Sequence, residues 1–131
     1  MRRLQFTIIF AALILGTFHA ESAWASSKWF HSASGNIQCE VVSNDSRGSY
    51  AYCQTGSPAR SVKLKPSGVF TECRDVGCVG DGPVDAFTLA AEKSTTVGQF
   101  RCTAKVNGIQ CIATKSGRGF LLGRRGVTAV S

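Results

Sequence analysis

The sequence FRCTAKVNGIQCIAT, residues 100–114, has the pattern of a β-hairpin closed by its own disulfide. Its centre contains Asn-Gly, the strongest short signal for a hairpin turn. A two-residue turn at Asn107 and Gly108 would place Cys111 diagonal to Cys102, whereas a four-residue loop over residues 105–108, with Gly108 left-handed, would place the two cysteines directly opposite. Directly opposite residues bring their Cβ atoms within about 4.5–5.5 Å, near what a disulfide requires. We therefore predict the four-residue loop and a bridge between Cys102 and Cys111.

A similar pattern occurs earlier in the chain, where SGNIQC at residues 34–39 resembles NGIQC at residues 107–111. If the loop NDSRG, residues 44–48, connects two strands, Cys39 and Cys53 face each other. The two remaining cysteines then close the loop CRDVGC. Six cysteines allow 15 connectivities, and we prefer this local one because hairpin geometry brings each pair together. The predicted pairs are Cys39–Cys53, Cys73–Cys78 and Cys102–Cys111.

Short β segments account for most of the chain after residue 25. Runs rich in Val, Ile, Phe, Tyr and Thr are separated by Gly, Ser, Asn and Pro, and no stretch keeps a convincing helical period. The one helix candidate is DAFTLAAEK, residues 85–93. We predict a mainly β fold, a small disulfide-stapled antiparallel domain of hairpins, barrel- or sandwich-like, with at most one short helix. The predicted strands cover residues 36–42, 49–54, 60–65, 69–72, 98–105, 109–114 and 119–122, with a turn at 123–126.

The N-terminus has the three-part pattern of a secretory signal peptide. Two arginines are followed by an apolar run over residues 6–18, and Ala23-Trp24-Ala25 places small residues before a cleavage point at Ser26. The run is too short for a membrane-spanning helix, which needs about 20 apolar residues. We predict a signal peptide over residues 1–25, a single secreted β domain over residues 26–131, no membrane span in the mature chain, and a periplasmic or secreted location.

The cysteines favour disulfides over a metal site. All six lie after residue 25, and an even number in a short exported chain is typical of a disulfide framework. Structural zinc sites use ligands paired at short spacing, but Cys73 and Cys78 have four residues between them. The single histidine of the mature chain, His31, lies far from them in sequence. We predict no metal and no cofactor.

Charge is uneven along the chain. The sequence has 15 Lys and Arg against 8 Asp and Glu; without residues 1–25, which hold two arginines and one glutamate, 13 and 7 remain, a net charge of +6. Residues 72–92 hold five acids and one base, whereas residues 101–131 hold six bases and no acid. Either this basic third meets an anionic partner, or it is a solvated face with some pairing between the two halves.

The basic, glycine-rich segment KSGRGFLLGRRG, residues 115–126, is the strongest candidate for a ligand site. Its glycines could let backbone N–H groups approach a ligand, and its cations could contact carboxylates or phosphates. The alternative is a tight β turn and a closing strand, with Phe120 and Leu122 in the core. The segment lacks the Lys-Ser/Thr ending of a phosphate loop. The candidate ligand-binding residues are Lys115, Arg118, Arg124 and Arg125.

No convincing catalytic group is present, so we predict no catalytic residue and no enzyme. His31 lacks an identifiable partner, and a lone histidine seldom indicates catalysis. Asp81 and Asp85 could pair as carboxylates, but Asp-Gly-Pro is ordinary turn sequence. Nucleic acid is also disfavoured as a partner, because the aromatic residues are scattered rather than interleaved with the bases.

The motifs WFHSASGNIQC, CVGDG and VGQFRC…NGIQCIATKSGRGFLLGRRGV resemble those of an uncharacterised family of small secreted bacterial proteins, a domain of unknown function. Its members have F-x-S-x-S-G-N-I-x-C near the start and G-x-F-x-C…G-x-x-C-x-x-x-x-G-x-G-F-x-L-x-R near the end. The match covers most of residues 29–127. The resemblance implies export, β structure and bridged cysteines, and it implies no activity.

Three functions fit these features. The first is a binding module of the cell envelope for an anionic component or a protein partner, from which a purely structural protein would differ only in lacking a saturable partner. The second is an inhibitor of a cell-wall hydrolase, in which a loop of a small bridged β domain plugs the active site. The third is a secreted enzyme of unrecognised type. We expect the first.

Overall fold

The computed structural model describes residues 26–44 and 48–131, together with Gly16. The predicted signal peptide, apart from that glycine, and three residues of the NDSRG loop lie outside the described residues. The strands in chain order are β1 Ser26–Ser32, β2 Ile37–Ser43, β3 Tyr50–Gly56, β4 Ala59–Leu64, β5 Phe70–Cys73, β6 Phe87–Leu89, β7 Ser94–Val97, β8 Phe100–Lys105, β9 Gly108–Ala113, β10 Arg118–Gly123 and β11 Gly126–Val130.

These strands form two sheets. A six-stranded sheet has the order β5-β4-β3-β2-β1-β6, and a five-stranded sheet has the order β11-β10-β9-β8-β7. Neighbouring strands are antiparallel, except that β6 pairs parallel with β1. The predicted mainly β, disulfide-stapled fold is therefore confirmed, and its form is a sandwich of two sheets. No helix in the described part of the chain is long and apolar enough to cross a membrane.

One hydrophobic cluster lies between the sheets. Strand β9 shows how the sequence builds it: Ile109, Cys111 and Ala113 are buried, and the residues between them are only partly so. Successive side chains of a strand point to opposite faces, so this alternation places every second residue in the core. The largest buried rings come from three different strands, Phe30 from β1, Phe100 from β8 and Phe120 from β10.

Two disulfides lie at the centre of this cluster. Cys39 faces Cys53 across β2 and β3, and Cys102 faces Cys111 across β8 and β9, each pair with a Cα–Cα distance of 4.1 Å. All four cysteines are fully buried, and the sulfurs of Cys53 and Cys111 approach to 3.8 Å across the sandwich. The third bridge joins Cys73 to Cys78 at the surface. The structure thus contains the three pairs that the hairpin geometry predicts.

The β8–β9 hairpin has the predicted register but a shorter loop. Lys105 still pairs with Gly108, so only Val106 and Asn107 lie between the strands. Gly108 has a φ of +154°, and a Cβ at this position would overlap the carbonyl oxygen of Leu122. Glycine is therefore required here by a close approach between neighbouring turns.

The helix candidate at residues 85–93 does not form a helix. Residues Phe87–Leu89 form β6, which pairs with the last residues of β1, and the ring of Phe87 lies 5.6 Å from that of Phe30. Leu89 is buried in the core. Helix propensity is a weak preference, and pairing with an open sheet edge overrides it in so short a segment. The one helical turn of the described residues is a 3-10 helix at Val76–Cys78.

Besides β6, three strands were not predicted from the sequence. They are β1, β7 and β11. Strand β7 has the sequence STTV and is largely exposed, and β11 is an edge strand with two exposed residues. Both lack the strong alternation of apolar and polar residues by which a half-buried strand is recognised.

Candidate ligand-binding groove at one end of the sandwich

The connections between strands gather at the two ends of the sandwich. One end holds the connections β1–β2, β3–β4, β6–β7, β8–β9 and β10–β11, and the other holds β2–β3, β4–β5, β7–β8 and β9–β10. We call the first the groove end and the second the closed end. Loops at one end of a β scaffold commonly carry binding sites, because the sheets fix their positions.

A groove opens between the two sheets at the groove end. Its floor consists of four buried aliphatic side chains, one or more from each sheet: Ile37, Leu89, Ala104 and Ile109. Its walls are the strand connections, which contribute mainly small and polar residues. The charged residues that line it, within the described part of the chain, are Lys105, Arg124 and Arg125. No acidic and no aromatic residue occurs among these lining residues.

The three cations come from two adjacent turns. Lys105 ends β8, while Arg124 and Arg125 form the turn between β10 and β11. Strand β9 separates β8 from β10, so the two turns start roughly 10 Å apart at the ordinary strand spacing. All three side chains are exposed. None of them forms an ion pair with any residue that the structure describes.

Glycines hold these two turns together. A Cβ at Gly123 would overlap the carbonyl oxygen of Asn107, and one at Gly108 would overlap that of Leu122. A side chain at either position would push the turns apart. The positions of Lys105 and Arg124 relative to each other therefore depend on two residues that have no side chain.

A further cation at the groove end shares one carboxylate with a neighbouring cation. The guanidinium of Arg60, on β4, lies beside Gly126, and its Nε is 3.7 Å from Glu72 Oε1. Glu72 also bonds Arg74, with a distance of 2.9 Å between Arg74 Nε and Glu72 Oε1, and this bond raises the pKa of Arg74 above its ordinary value. Both ion pairs use cations from outside the basic C-terminal third. The structure shows no pairing between the acidic and basic thirds among its described residues.

The structure separates the four cations of the predicted ligand segment. Arg124 and Arg125 lie at the groove, but Lys115 and Arg118 lie at the closed end, at the opposite end of β10. Six residues of extended strand put Arg118 and Arg124 roughly 20 Å apart. The segment therefore cannot act as one loop around a small ligand.

The middle of residues 115–126 is a core strand, which was the alternative to a ligand site. Phe120 and Leu122 are fully buried, and a Cβ at Gly119 would overlap the backbone of Cys111. Gly119 therefore serves close backbone packing rather than the approach of a ligand. Sequence reasoning also missed Lys105, whose turn lies next to the Arg124–Arg125 turn only because β8, β9 and β10 are neighbours. The sequence signal that marked its turn was Asn107-Gly108.

The candidate catalytic residues are not among the residues that line the groove. His31 Nδ1 is 2.9 Å from the carbonyl oxygen of Ser32, and its Nε2 is 3.4 Å from Thr88 Oγ1. Asp81 and Asp85 are exposed on the connection between β5 and β6. One cluster of potential metal ligands occurs among the described residues, the sulfurs of Cys39, Cys53 and Cys111, and all three are in disulfides. No arrangement that we recognise as a catalytic site occurs in the described chain.

The connection over residues 74–86 crosses the outer face of the six-stranded sheet, from β5 at one edge to β6 at the other. Gln54 binds it in two ways, donating to the carbonyl oxygen of Gly80 and accepting from the Gly80 N–H at 2.9 Å. The hydroxyl of Tyr52 lies 2.7 Å from the carbonyl oxygen of Cys78. Burial of Tyr52 raises its pKa above the ordinary value, against a hydrogen bond with Ser61 that lowers it.

Comparison with known proteins returns nothing for this chain: no family model, no curated protein and no solved structure matches it.

Proposed function

We propose that this chain is an exported binding module of the cell envelope that takes an anionic partner at the groove end. One observation carries the proposal: three exposed cations, with no acid among the residues that line the groove, lie on one side of an aliphatic floor between the sheets. Binding sites are typically concave and mostly apolar, with a few polar groups that orient the ligand. Arginine is suited to this role because its guanidinium can form two parallel bonds to a carboxylate or phosphate.

Export is supported by separate features. Disulfides persist in oxidising compartments and are rare in the cytosol, and this chain has three of them. The N-terminal sequence pattern of a signal peptide agrees with a periplasmic or secreted location. The resemblance to small secreted proteins of unknown function points the same way. None of these features depends on the groove, so export and anion binding can be tested separately.

The test uses the full-length product, recovered with its disulfides formed, as bait for envelope extract and purified anionic cell-wall fragments. Binding is measured first at low salt and then near 0.3 M, where exposed charges are screened beyond about 5–6 Å. We expect a discrete partner to survive the higher salt. The double variant Arg124→Glu/Arg125→Glu should lose it by tenfold or more in affinity, since each reversal places an acid at the rim.

The matched control is Lys115→Glu/Arg118→Glu, which makes the same change of net charge at the closed end. It should leave partner binding within about twofold of the unmodified protein, because long-range charge effects are screened at this salt. Equal losses in the two variants would show that only net charge matters, and the proposal would then be wrong.

A further inference from the structure

The lining of the groove restricts the chemistry of its partner. No aromatic residue occurs among the lining residues that the structure describes. Sugars and nucleobases are usually held by stacking on aromatic rings. An aliphatic floor instead gains free energy by burying aliphatic groups, at about 0.8 kcal/mol for each CH₂. The cations of the rim add a requirement for negative charge, so the ligand must combine carboxylates or phosphates with aliphatic groups.

One residue that lines the groove is an exposed apolar side chain. Val106 is 97% exposed and projects from the β8–β9 turn between Lys105 and Asn107. A valine exposed at the rim, next to a cation, offers an apolar contact in addition to the buried side chains of the floor. A macromolecular partner can lie in the groove and cover Val106 at the same time.

The walls of the groove also suit a polypeptide. They include side chains that can both donate and accept hydrogen bonds, such as Ser34, Asn36, Ser57 and Asn107. A bound peptide needs such partners because its backbone N–H and C=O groups lose water on binding. An acyl chain makes no use of them.

From these observations we infer that the groove binds an acidic protein segment that carries aliphatic side chains, with its carboxylates on Lys105, Arg124 and Arg125 and an aliphatic side chain on the floor at Ile37 and Ala104. Val106 forms a second apolar contact with the same partner. The inference rests on the proposed function and specifies the partner of that site. It differs from the anionic cell-wall polymer or lipid surface that charge alone would equally fit.

The test compares two short synthetic peptides of equal length and charge. One alternates Glu with Leu and the other alternates Glu with Ser; both are titrated into the full-length oxidised protein at about 0.15 M salt. We expect the Glu-Leu peptide to bind at least about tenfold more tightly, since burial of even one leucine contributes enough for that ratio. Substitution Val106→Ser should weaken the Glu-Leu peptide about threefold to tenfold and leave the Glu-Ser peptide unchanged. Because Val106 is almost wholly exposed, this variant should fold normally.

Chemical shift mapping locates the contact without any variant. Addition of the Glu-Leu peptide should move the amide signals of Val106, Asn107 and Arg125, and should leave those of Gly68 and Ser116 at the closed end in place. Shifts confined to the closed end would overturn the inference.

Two further probes separate this inference from the proposed function. Polygalacturonate tests an anionic polymer without aliphatic groups, and phosphatidylglycerol vesicles test a lipid surface. Equal binding of the two peptides, or tighter binding of either probe than of the Glu-Leu peptide, would overturn the inference and leave the anion-binding proposal in place. Failure of all four to bind would overturn both.

Discussion

The two ends of the sandwich carry similar charge but are packed differently. Arg124, Arg125 and Lys105 at the groove end have their counterparts in Lys115, Arg118 and Lys65 at the closed end, and all six are exposed. At the groove end the sheets leave an open space above the ends of the core side chains. At the closed end the turns of one sheet contact the other sheet.

The contacts at the closed end are formed at two glycines. A Cβ at Gly98, in the β7–β8 turn, would overlap the side chain of Ser43 at the end of β2. A Cβ at Gly68, in the β4–β5 turn, would lie 2.7 Å from Ser116 Oγ and 2.8 Å from the Cβ of Arg118. At these two turns, packing this tight leaves no room for a ligand between the described residues of the two sheets. A cluster of cations therefore becomes a candidate site only where the turns leave the core accessible.

We expect the largest loss of stability from removing a buried disulfide, because the buried bridges lie midway between the two ends. Replacing Cys102 and Cys111 together with alanine should lower the free energy of unfolding by about 2–5 kcal/mol, through a less constrained unfolded chain and a cavity in the core. The measurement is urea denaturation of the oxidised proteins. The matched variant, Cys73→Ala/Cys78→Ala, should cost less, about 2 kcal/mol, because its bridge lies at the surface. An equal cost for the two pairs would show that burial of the bridge adds nothing.

A smaller effect should come from breaking the contact that shuts the closed end. Gly98→Ala places a Cβ against Ser43 at a φ of +54°, and should lower the free energy of unfolding by about 2–4 kcal/mol. Gly117→Ala is the control, since it has a similar φ of +71° but nothing within 4 Å of the added Cβ. Its cost should be about 1–2 kcal/mol, the conformational part alone. If thermal or urea unfolding gives the two variants the same stability, the closed end is not tightly packed.

A Gly→Ala substitution can also perturb the groove end while leaving its three cations unchanged. Gly123→Ala should separate the β8–β9 and β10–β11 turns, because the added Cβ overlaps the carbonyl oxygen of Asn107. We expect a loss of about 1–3 kcal/mol in stability and severalfold weaker binding of the Glu-Leu peptide. The control is Gly56→Ala, at the end of β3 at the same end, where nothing lies within 4 Å of an added Cβ and where φ, as at Gly123, is outside the left-handed region. Unchanged peptide binding by Gly123→Ala would mean that the spacing of the two turns does not matter.

The smallest effect concerns Tyr52, which binds the crossing connection to the outer face of the six-stranded sheet. Because its pKa is raised on folding, its contribution to stability is complete below pH 10 and is lost as the pH rises through the folded-state pKa. Urea midpoints measured from pH 8 to 11 should therefore fall more steeply for the unmodified protein than for Tyr52→Phe. At pH 8 the variant should be less stable than the unmodified protein by at most about 1 kcal/mol, the usual contribution of one hydrogen bond. Parallel curves would show that folding does not change the pKa of this hydroxyl.

Much of the fold could be predicted because local patterns decide it. The alternation in the β8–β9 hairpin sets which residues face the core, and one shift of register would move all of them to the surface. Cys102 and Cys111 can therefore form a disulfide in one register of the hairpin, the one that places them directly opposite. The same argument gave Cys39 opposite Cys53. The helix candidate at residues 85–93 shows the limit of local patterns. Strand β6 forms there because β1 offers an unpaired edge.

The candidate site could be predicted only in part. Arg124 and Arg125 were recognised from their charge and their turn, but Lys115 and Arg118 were grouped with them by closeness in sequence. An extended strand carries its two ends far apart, so nearness along β10 is not nearness in space. Lys105 was missed for the opposite reason, because it lies near the arginine turn through sheet order and not through sequence.

The sequence by itself determined the class of fold, the pairing of the six cysteines and which residues of each hairpin face inward. These follow from alternation, turn chemistry and the short reach of a disulfide, which all act over a few residues. Only the tertiary structure decided which turns meet at each end, which end is filled and which cations border an open groove. Those properties depend on the order of strands in the two sheets and on contacts between residues distant in sequence, and no local pattern encodes them.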